Sequence, residues 1–127
     1  MINIELKVKH YYLIADILFQ QAAYASFSIL EKVKTACSGK TEDDLTTVEI
    51  DVPSFIDVFV VLTQKPEGAF NMINTEMMDL LTPQIQAGVN SGDPEWIDLA
   101  TQVQQIRENN WSIPVSMIAS GKSKLGL

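Results

Sequence analysis

A strand-and-helix pattern occurs twice in this chain, with the second copy 44 positions after the first. Glu5 and Val8 of the first copy are repeated as Glu49 and Val52 in the second. Because two similar segments are expected to fold alike and to bury the same face, the repeat restricts the possible architectures more than any other feature. Further identical or apolar matches are Ile4/Val48, Leu6/Ile50, Ile14/Val58, Ile17/Val61, Leu18/Leu62 and Gln20/Gln64.

Each copy begins with a two-residue apolar period and then changes to a helical one. Residues 2–8 alternate apolar with polar side chains, as a strand with one buried and one exposed face does. From His10 onward, apolar residues recur at three- and four-residue intervals, which is typical of an amphipathic helix. In the second copy the same change predicts a strand over 48–52, followed by a helix that Pro53 opens and that ends near Gln64.

A second helix is predicted to complete each copy, so that strand–helix–helix units cover about residues 2–37 and 47–81. The polar and acidic segment between them, residues 38–47, is interpreted as a surface loop. With 127 residues, the chain has the size of one domain with its own core. The predicted fold class is therefore α+β and predominantly helical, with the two strands paired in a small antiparallel sheet.

The last third of the chain departs from the repeat. Thr82-Pro83 predicts the start of a new helix, because a threonine cap followed by a first-turn proline is a common beginning. Residues 82–120 are expected to form a C-terminal helical extension, and residues 121–127 a mobile tail. The chain would then be a single domain with an appended helical part.

Both strands of a two-stranded sheet keep a free edge, which helices must cover or another chain must extend. Open edges of this kind are natural places for protein contacts. The sequence therefore predicts contact residues on the exposed strand face, at Glu5, Lys7, Glu49 and Asp51.

Three further candidate contact residues lie near the end of the chain. Trp111 fits no helical stripe, and an aromatic side chain there either docks on a neighbouring subunit or caps the domain's own core. Leu125 and Leu127 belong to the expected tail, where apolar side chains would be available for pairing.

The charge balance argues against nucleic acid and membranes as direct partners. Nine Lys and Arg residues stand against sixteen Asp and Glu residues, whereas a nucleic-acid groove needs a positive field. The first ten residues contain no continuous apolar run, so no signal peptide is expected. The most apolar window, residues 11–30, includes Asp16 and two glutamines, which disfavours a membrane span. The single cysteine, Cys37, excludes an intrachain disulfide and leans towards a reducing compartment.

Short motifs for nucleotide or metal binding are incomplete. Residues 38–41 read Ser-Gly-Lys-Thr, but Lys34 stands where a phosphate-binding loop needs its earlier glycine. Residues 42–44, Glu-Asp-Asp, lack the alternating oxygen ligands and the turn glycine of a calcium loop. No cofactor and no metal site is therefore predicted.

Two pairs of residues carry chemistry that an enzyme could use. Cys37 and His10 could form a nucleophile–base pair, although the favoured interpretation is a small buried thiol and a histidine at a helix start. Glu76 and Asp79 lie three residues apart on one predicted helix face, and paired carboxylates can divide acid and base roles. Because helices carry such pairs routinely for solubility, no catalytic residue is predicted.

Residues 62–70, Leu-Thr-Gln-Lys-Pro-Glu-Gly-Ala-Phe, continue the second copy through a proline-containing break. This order of an alternating strand, an amphipathic helix, a short break and another helix resembles a segment of small accessory proteins of tailed bacteriophages. The resemblance covers residues 47–81 and, more loosely, residues 2–37. It implies a non-enzymatic role in a phage particle or its assembly, with the virion or the host cytoplasm as the location.

The leading functional hypothesis is a non-enzymatic protein-interaction module, a structural or assembly component of a phage capsid or tail. Its partners would be copies of itself or other virion proteins. An alternative is an acidic regulatory adaptor that binds and inhibits a host protein by resembling nucleic acid. A hydrolase that uses Glu76 and Asp79 is the enzymatic alternative.

Overall fold

The computed structural model describes residues 1–21, 24–63, 73–107 and 116–127. In these ranges the chain is α+β and mostly helical, with a two-stranded antiparallel sheet, so the predicted fold class is confirmed at this level. In chain order the elements are β1 (Ile2–Lys7), α1 (Val8–Gln21), α2 (Tyr24–Cys37), β2 (Leu45–Ile50), α3 (Val52–Thr63), α4 (Ile73–Asn90), α5 (Pro94–Arg107) and α6 (Ser116–Lys124).

The sheet pairs β1 with β2 so that Ile4 lies opposite Val48. These two residues occupy equivalent positions in the sequence repeat. Side chains alternate as a half-buried strand requires: Ile4 and Val48 are buried, whereas their neighbours Glu5 and Glu49 are exposed. One face of the sheet is thus part of the core and the other faces solvent. The duplication itself stays a prediction.

The helices tie the two halves of the chain together. Helix α2 comes from the first half and packs on β2, whereas α4 comes from the second half and packs on β1. Helix α1 contacts α2, α3, β1 and, most extensively, α6. Every apolar side chain of α1 from Val8 to Leu18 is buried, so this helix is central and not merely amphipathic.

The junction between α1 and α6 corrects the expected tail. Gly121 lies inside α6, and a Cβ atom at this position would overlap the carbonyl oxygen of Tyr12 in α1. Glycine therefore allows the two helix backbones to approach closely. Residues after Gly121 continue the helix to Lys124, and Leu125 is buried with 5% of its surface exposed. A mobile segment starting at residue 121 was the wrong expectation.

A buried carboxylate reinforces the same junction. Asp16 of α1 is 3% exposed, and its Oδ1 accepts hydrogen bonds from Ser120 Oγ at 2.6 Å and from Lys124 Nζ at 2.8 Å. A charge removed from water needs such donors, because an unpaired buried carboxylate is strongly destabilising. Gln20 donates a further bond to Asp16 Oδ2 at 3.2 Å.

The expected helix start at Thr82-Pro83 is also corrected, because α4 runs without interruption from Ile73 to Asn90. Thr82 does not cap a helix: its Oγ1 donates to the carbonyl of Met78, one turn earlier, at 2.7 Å. Pro83 lacks an N–H group, so the helix loses one backbone hydrogen bond at this point and continues. In the described ranges, no helix combines the length and the apolar character needed to cross a bilayer.

Replacing Gly121 by alanine tests the close α1–α6 contact. Helix propensity alone would favour alanine by about 1 kcal/mol. We expect instead a loss of about 2–3 kcal/mol in the free energy of unfolding, because the added methyl group meets backbone atoms that cannot rotate away. Urea denaturation measures the change. Ser123→Ala, at an exposed position of the same helix, is the control and should change stability little.

Candidate interaction site at the sheet edges

The outer edge of β1 is closed by a side chain from α4. The backbone N–H of Glu5 donates to Gln84 Oε1 at 2.8 Å, and Gln84 Nε2 donates to the carbonyl of Glu5 at 2.7 Å. A side-chain amide thus takes the place of a neighbouring strand. Further along β1, the N–H of Lys7 donates to His10 Nδ1 at 3.2 Å. These contacts occupy the middle of the β1 edge, at Glu5 and Lys7.

The outer edge of β2 has a different environment. Glu5 lies opposite Thr47, and both backbone groups of Glu5 point away from β2 towards Gln84. In an antiparallel pair, facing residues share this orientation, so the N–H and carbonyl of Thr47 point away from β1, and those of Glu49 do the same. Within the part of the chain that the structure describes, these four backbone groups have no hydrogen-bond partner. Towards Leu45 the open segment ends, because Lys40 Nζ lies 3.4 Å from the Leu45 carbonyl.

A shallow groove of about 450 Å³ runs beside this open segment. Its other wall is α2, which contributes Glu31, Lys32, Thr35 and Ala36, while β2 contributes residues 47–49. The hydroxyl of Thr46 donates to the carbonyl of Ala36 at 2.9 Å and thereby holds the end of α2 against β2. Across the groove, Lys32 Nζ lies 3.4 Å from Glu49 Oε1.

The predicted contact residues have different fates. Glu49 borders the groove with about half of its side chain exposed. Asp51 was expected on the strand face but follows the end of β2. Its Oδ2 accepts hydrogen bonds from the N–H of Ser54 at 3.1 Å and from Ser54 Oγ at 2.8 Å, so Asp51 caps α3. Lys7 lies 3.7 Å from carboxylate oxygens of both Asp43 and Glu76.

The three candidates near the end of the chain differ in exposure. Leu125 belongs to the core, where it is almost fully buried. Leu127 is 36% exposed. Trp111 lies outside the described residues. The sequence pattern points to neither Gln84 nor Thr47, because a glutamine on a helix carries no signal for a strand 79 residues away and Thr47 ends the polar segment 38–47.

A charged cluster joins the start of α1 to α4 and to the loop before β2. Lys9 Nζ lies 2.8 Å from Glu76 Oε2 and 3.1 Å from Asp43 Oδ1. Contact with Lys9 lowers the pKa of Glu76, so this carboxylate is held in its ionised form. A general acid needs the opposite shift, which weakens the proposed acid–base pair with Asp79, an exposed residue on the same helix.

The acidic loop has a structural use in this arrangement. Carbonyl oxygens of Asp44 and Glu42 accept hydrogen bonds from the N–H groups of Val8 at 2.9 Å and Lys9 at 3.0 Å. These N–H groups belong to the first turn of α1, where no partner exists within the helix. The loop before β2 therefore caps α1. Asp44 Oδ2 in turn accepts a bond from the Thr41 N–H at 2.8 Å.

His10 is fully buried beside the same cluster. Its Nδ1 accepts the Lys7 N–H, so Nε2 carries the proton. Among the described residues Nε2 has no hydrogen-bond partner, and it lies 3.9 Å from Glu76 Oε2. Burial, together with the nearby charge of Lys9, lowers the pKa of His10 to about 4. Burial raises the pKa of Cys37 to about 11. Both groups are therefore uncharged at neutral pH, which does not favour an activated thiolate–imidazolium pair.

Replacing Gln84 by alanine should open the β1 edge. The Glu5 amide loses its acceptor, and we expect its hydrogen exchange to become about two- to tenfold faster, the factor that one net hydrogen bond supplies. Nuclear magnetic resonance measures this exchange residue by residue. Gln86→Ala, at an exposed position of the same helix, should leave the Glu5 amide unchanged. Equal acceleration in both variants would contradict the assignment of Gln84.

The buried histidine makes a prediction about pH. Its folded-state pKa lies below the ordinary value of 6.5, so the unfolded chain binds the proton more readily and stability falls as the pH drops from 6.5 to about 4. The shift corresponds to about 3 kcal/mol over this range. In His10→Gln, where the amide oxygen can accept the Lys7 N–H, denaturation midpoints should vary much less across the same window. An unchanged pH dependence would contradict the prediction, since the chain has no other histidine.

In the described ranges, no group of three or more His, Cys, Asp or Glu side chains is placed to hold a metal ion. A scan of protein-family models found no match to the chain, and searches of curated proteins and of solved structures found none either. Function must therefore be argued from the geometry of the site itself.

Proposed function

We propose that this protein is a protein-interaction module that binds an extended segment of a partner at the outer edge of β2. One observation carries the proposal: Gln84 closes the middle of the β1 edge at Glu5, whereas backbone donors and acceptors of Thr47 and Glu49 are open beside a groove. An extended peptide can add a strand to such an edge, with main-chain hydrogen bonds giving affinity and the groove giving selectivity.

The open segment of the β2 edge is short, which favours binding of one partner segment over uncontrolled pairing between chains. A long bare edge would invite uncontrolled pairing between chains, and proteins commonly suppress it with short strands and charged side chains. Here Lys40 covers the Leu45 carbonyl, and the ion pair of Lys32 with Glu49 lies across the groove. The edge is thus open for about the length of one short strand segment and restricted at either side.

The duplicated strand–helix–helix unit is part of the same proposal. In support, equivalent residues Ile4 and Val48 face each other, and each strand carries the second helix of the opposite half. The two second helices align at an offset of 43 residues, at which the end of α2 at Cys37 corresponds to Leu80 in α4. Gln84 lies beyond that point, in turns that α2 lacks. A duplicated chain whose second copy gained these turns would have one closed edge and one open edge.

The setting that we propose is a phage particle or its assembly. The support is the resemblance of residues 47–81 to small accessory proteins of tailed bacteriophages, together with a net charge of −7, which keeps a small protein soluble at high local concentration. In such a setting the partner is another protein of the particle. A host protein at the same edge would instead favour the regulatory adaptor.

A photo-crosslinking amino acid in the groove tests the proposed contact. Benzoylphenylalanine is introduced at Thr35, and the full chain is produced in the cells in which it normally functions. After illumination, mass spectrometry identifies the crosslinked partner and the segment attached. We expect one discrete product that disappears when Thr47→Pro is added, because proline removes the outward N–H while leaving the bonds to β1 in place.

The control places the same crosslinker at Thr101, an exposed threonine on α5. It should give no such product, and circular dichroism should show that the Thr47→Pro chain is folded. Identical products from both positions, or a product from Thr35 that survives Thr47→Pro, would overturn the proposal.

A further inference from the structure

We infer that the occupant of the β2 edge is an extended segment of a different protein with lysine or arginine at alternate positions. This inference rests on the proposed function and adds the chemistry of the partner to it. The inference has two grounds. The open backbone groups of β2 determine the register of a bound partner strand, and the charged side chains along β1 and β2 determine which partner residues match it.

The backbone determines which partner side chains face which surface. An antiparallel strand on this edge would form hydrogen-bonded pairs with Thr47 and Glu49, since their N–H and carbonyl groups point outward. Residues directly opposite one another share a face, so these two partner residues would lie on the exposed face of the sheet. The partner residue between them, opposite Val48, would point towards α2.

The exposed face of the sheet is acidic along this register. Glu49 would lie beside one partner residue, and Glu5 lies one strand further in, opposite Thr47. Both side chains are exposed. Opposite charges on facing strand positions are favourable and like charges are unfavourable. Cationic side chains at the two exposed positions therefore match the face, one meeting Glu49 and the other reaching across Thr47 to Glu5.

The groove floor determines which type of partner side chain fits at the position between the two cations. The partner residue that points towards α2 meets Thr35 and Ala36, two small side chains that leave room for an aliphatic group of moderate size. Glu31 lines the same groove and has no ion-pair partner among the described residues. The pattern that fits is therefore cationic, aliphatic, cationic.

The existing ion pair does not prevent this contact. Lys32 and Glu49 are 3.4 Å apart, and 36% and 49% of their side chains are exposed. Pairs as exposed as this one contribute little to stability. An arriving cation can consequently share Glu49 with Lys32 at small cost.

A second copy of the chain fits less well. Each chain has a net charge of −7, so two copies repel each other at long range. Pairing of two β2 edges through the same open groups would also bring each Glu49 diagonally towards its equivalent, and β2 itself carries no cationic side chain to offset this. Charge complementarity thus favours a basic segment from another protein.

The test uses two nine-residue peptides, one alternating lysine with valine and one alternating glutamate with valine. Hydrogen exchange of the full chain is followed by nuclear magnetic resonance at millimolar peptide. We expect the lysine peptide to slow exchange at the Thr47 and Glu49 amides, with the Glu5 amide unaffected, and we expect this protection to weaken at high salt. Glu49→Gln should weaken binding by about two- to fivefold, the effect of one exposed charge pair, whereas the control Asp98→Asn should not.

The outcomes separate the two proposals. Equal protection by both peptides would overturn the basic partner and leave the strand-binding edge in place. Protection by neither peptide would count against the edge as well. Protection that rises with protein concentration in the absence of peptide would identify a second copy as the occupant and overturn the inference.

Discussion

The pairing of β1 with β2 is the constraint on which the rest of the structure depends. It joins two segments 44 residues apart at Ile4 and Val48, and it places both buried strand faces on the same side. Each strand is too short to be stable with one partner strand alone, so the helices must cover that side. Because α2 packs on β2 and α4 packs on β1, neither half of the chain can form its core without the other.

A sheet of two strands has two outer edges, and the chain treats them differently. On β1 the side-chain amide of Gln84 bonds to both backbone groups of Glu5, so that a side chain of α4 takes the place of a third strand. On β2, helix α2 ends at Cys37, and among the described residues no side chain bonds to the outward backbone groups of Thr47 and Glu49. This difference between the edges is the feature from which a binding function can be argued.

Buried polar groups are handled in two ways around α1. The carboxylate of Asp16 accepts hydrogen bonds from Ser120 and Lys124 of α6. His10 is held neutral, because burial and the nearby charge of Lys9 lower its pKa, and its Nδ1 accepts a backbone N–H. The first arrangement ties the C-terminal helix to the centre of the molecule. The second provides an acceptor for the Lys7 N–H at the start of α1, where the carbonyls of Glu42 and Asp44 in the acidic loop also cap the helix.

The amino-acid sequence by itself determined the elements and their class. Alternation over residues 2–8 and the helical periods that follow are local properties of neighbouring side chains, and they predicted strands, helices and an antiparallel pair. The ends of the second strand differ from the prediction: β2 begins at Leu45, and polar Thr46 is buried in it because its hydroxyl bonds to Ala36. Such a contact joins residues ten positions apart and leaves no periodic signal.

Tertiary structure alone decided which strand edge is open to a partner, which residue caps a helix and which side chains are buried. Gln84 closes β1 from 79 residues away, Asp51 caps α3, and Leu125 is buried because Gly121 lets α6 approach α1. Glycine, proline and short polar residues have several uses, and their local sequence does not say which one applies. The physical reason is that a backbone group finds its hydrogen-bond partner, and a side chain its buried surroundings, among residues that the fold brings close from elsewhere in the chain. Periodicity, by contrast, depends only on residues that are neighbours in the sequence.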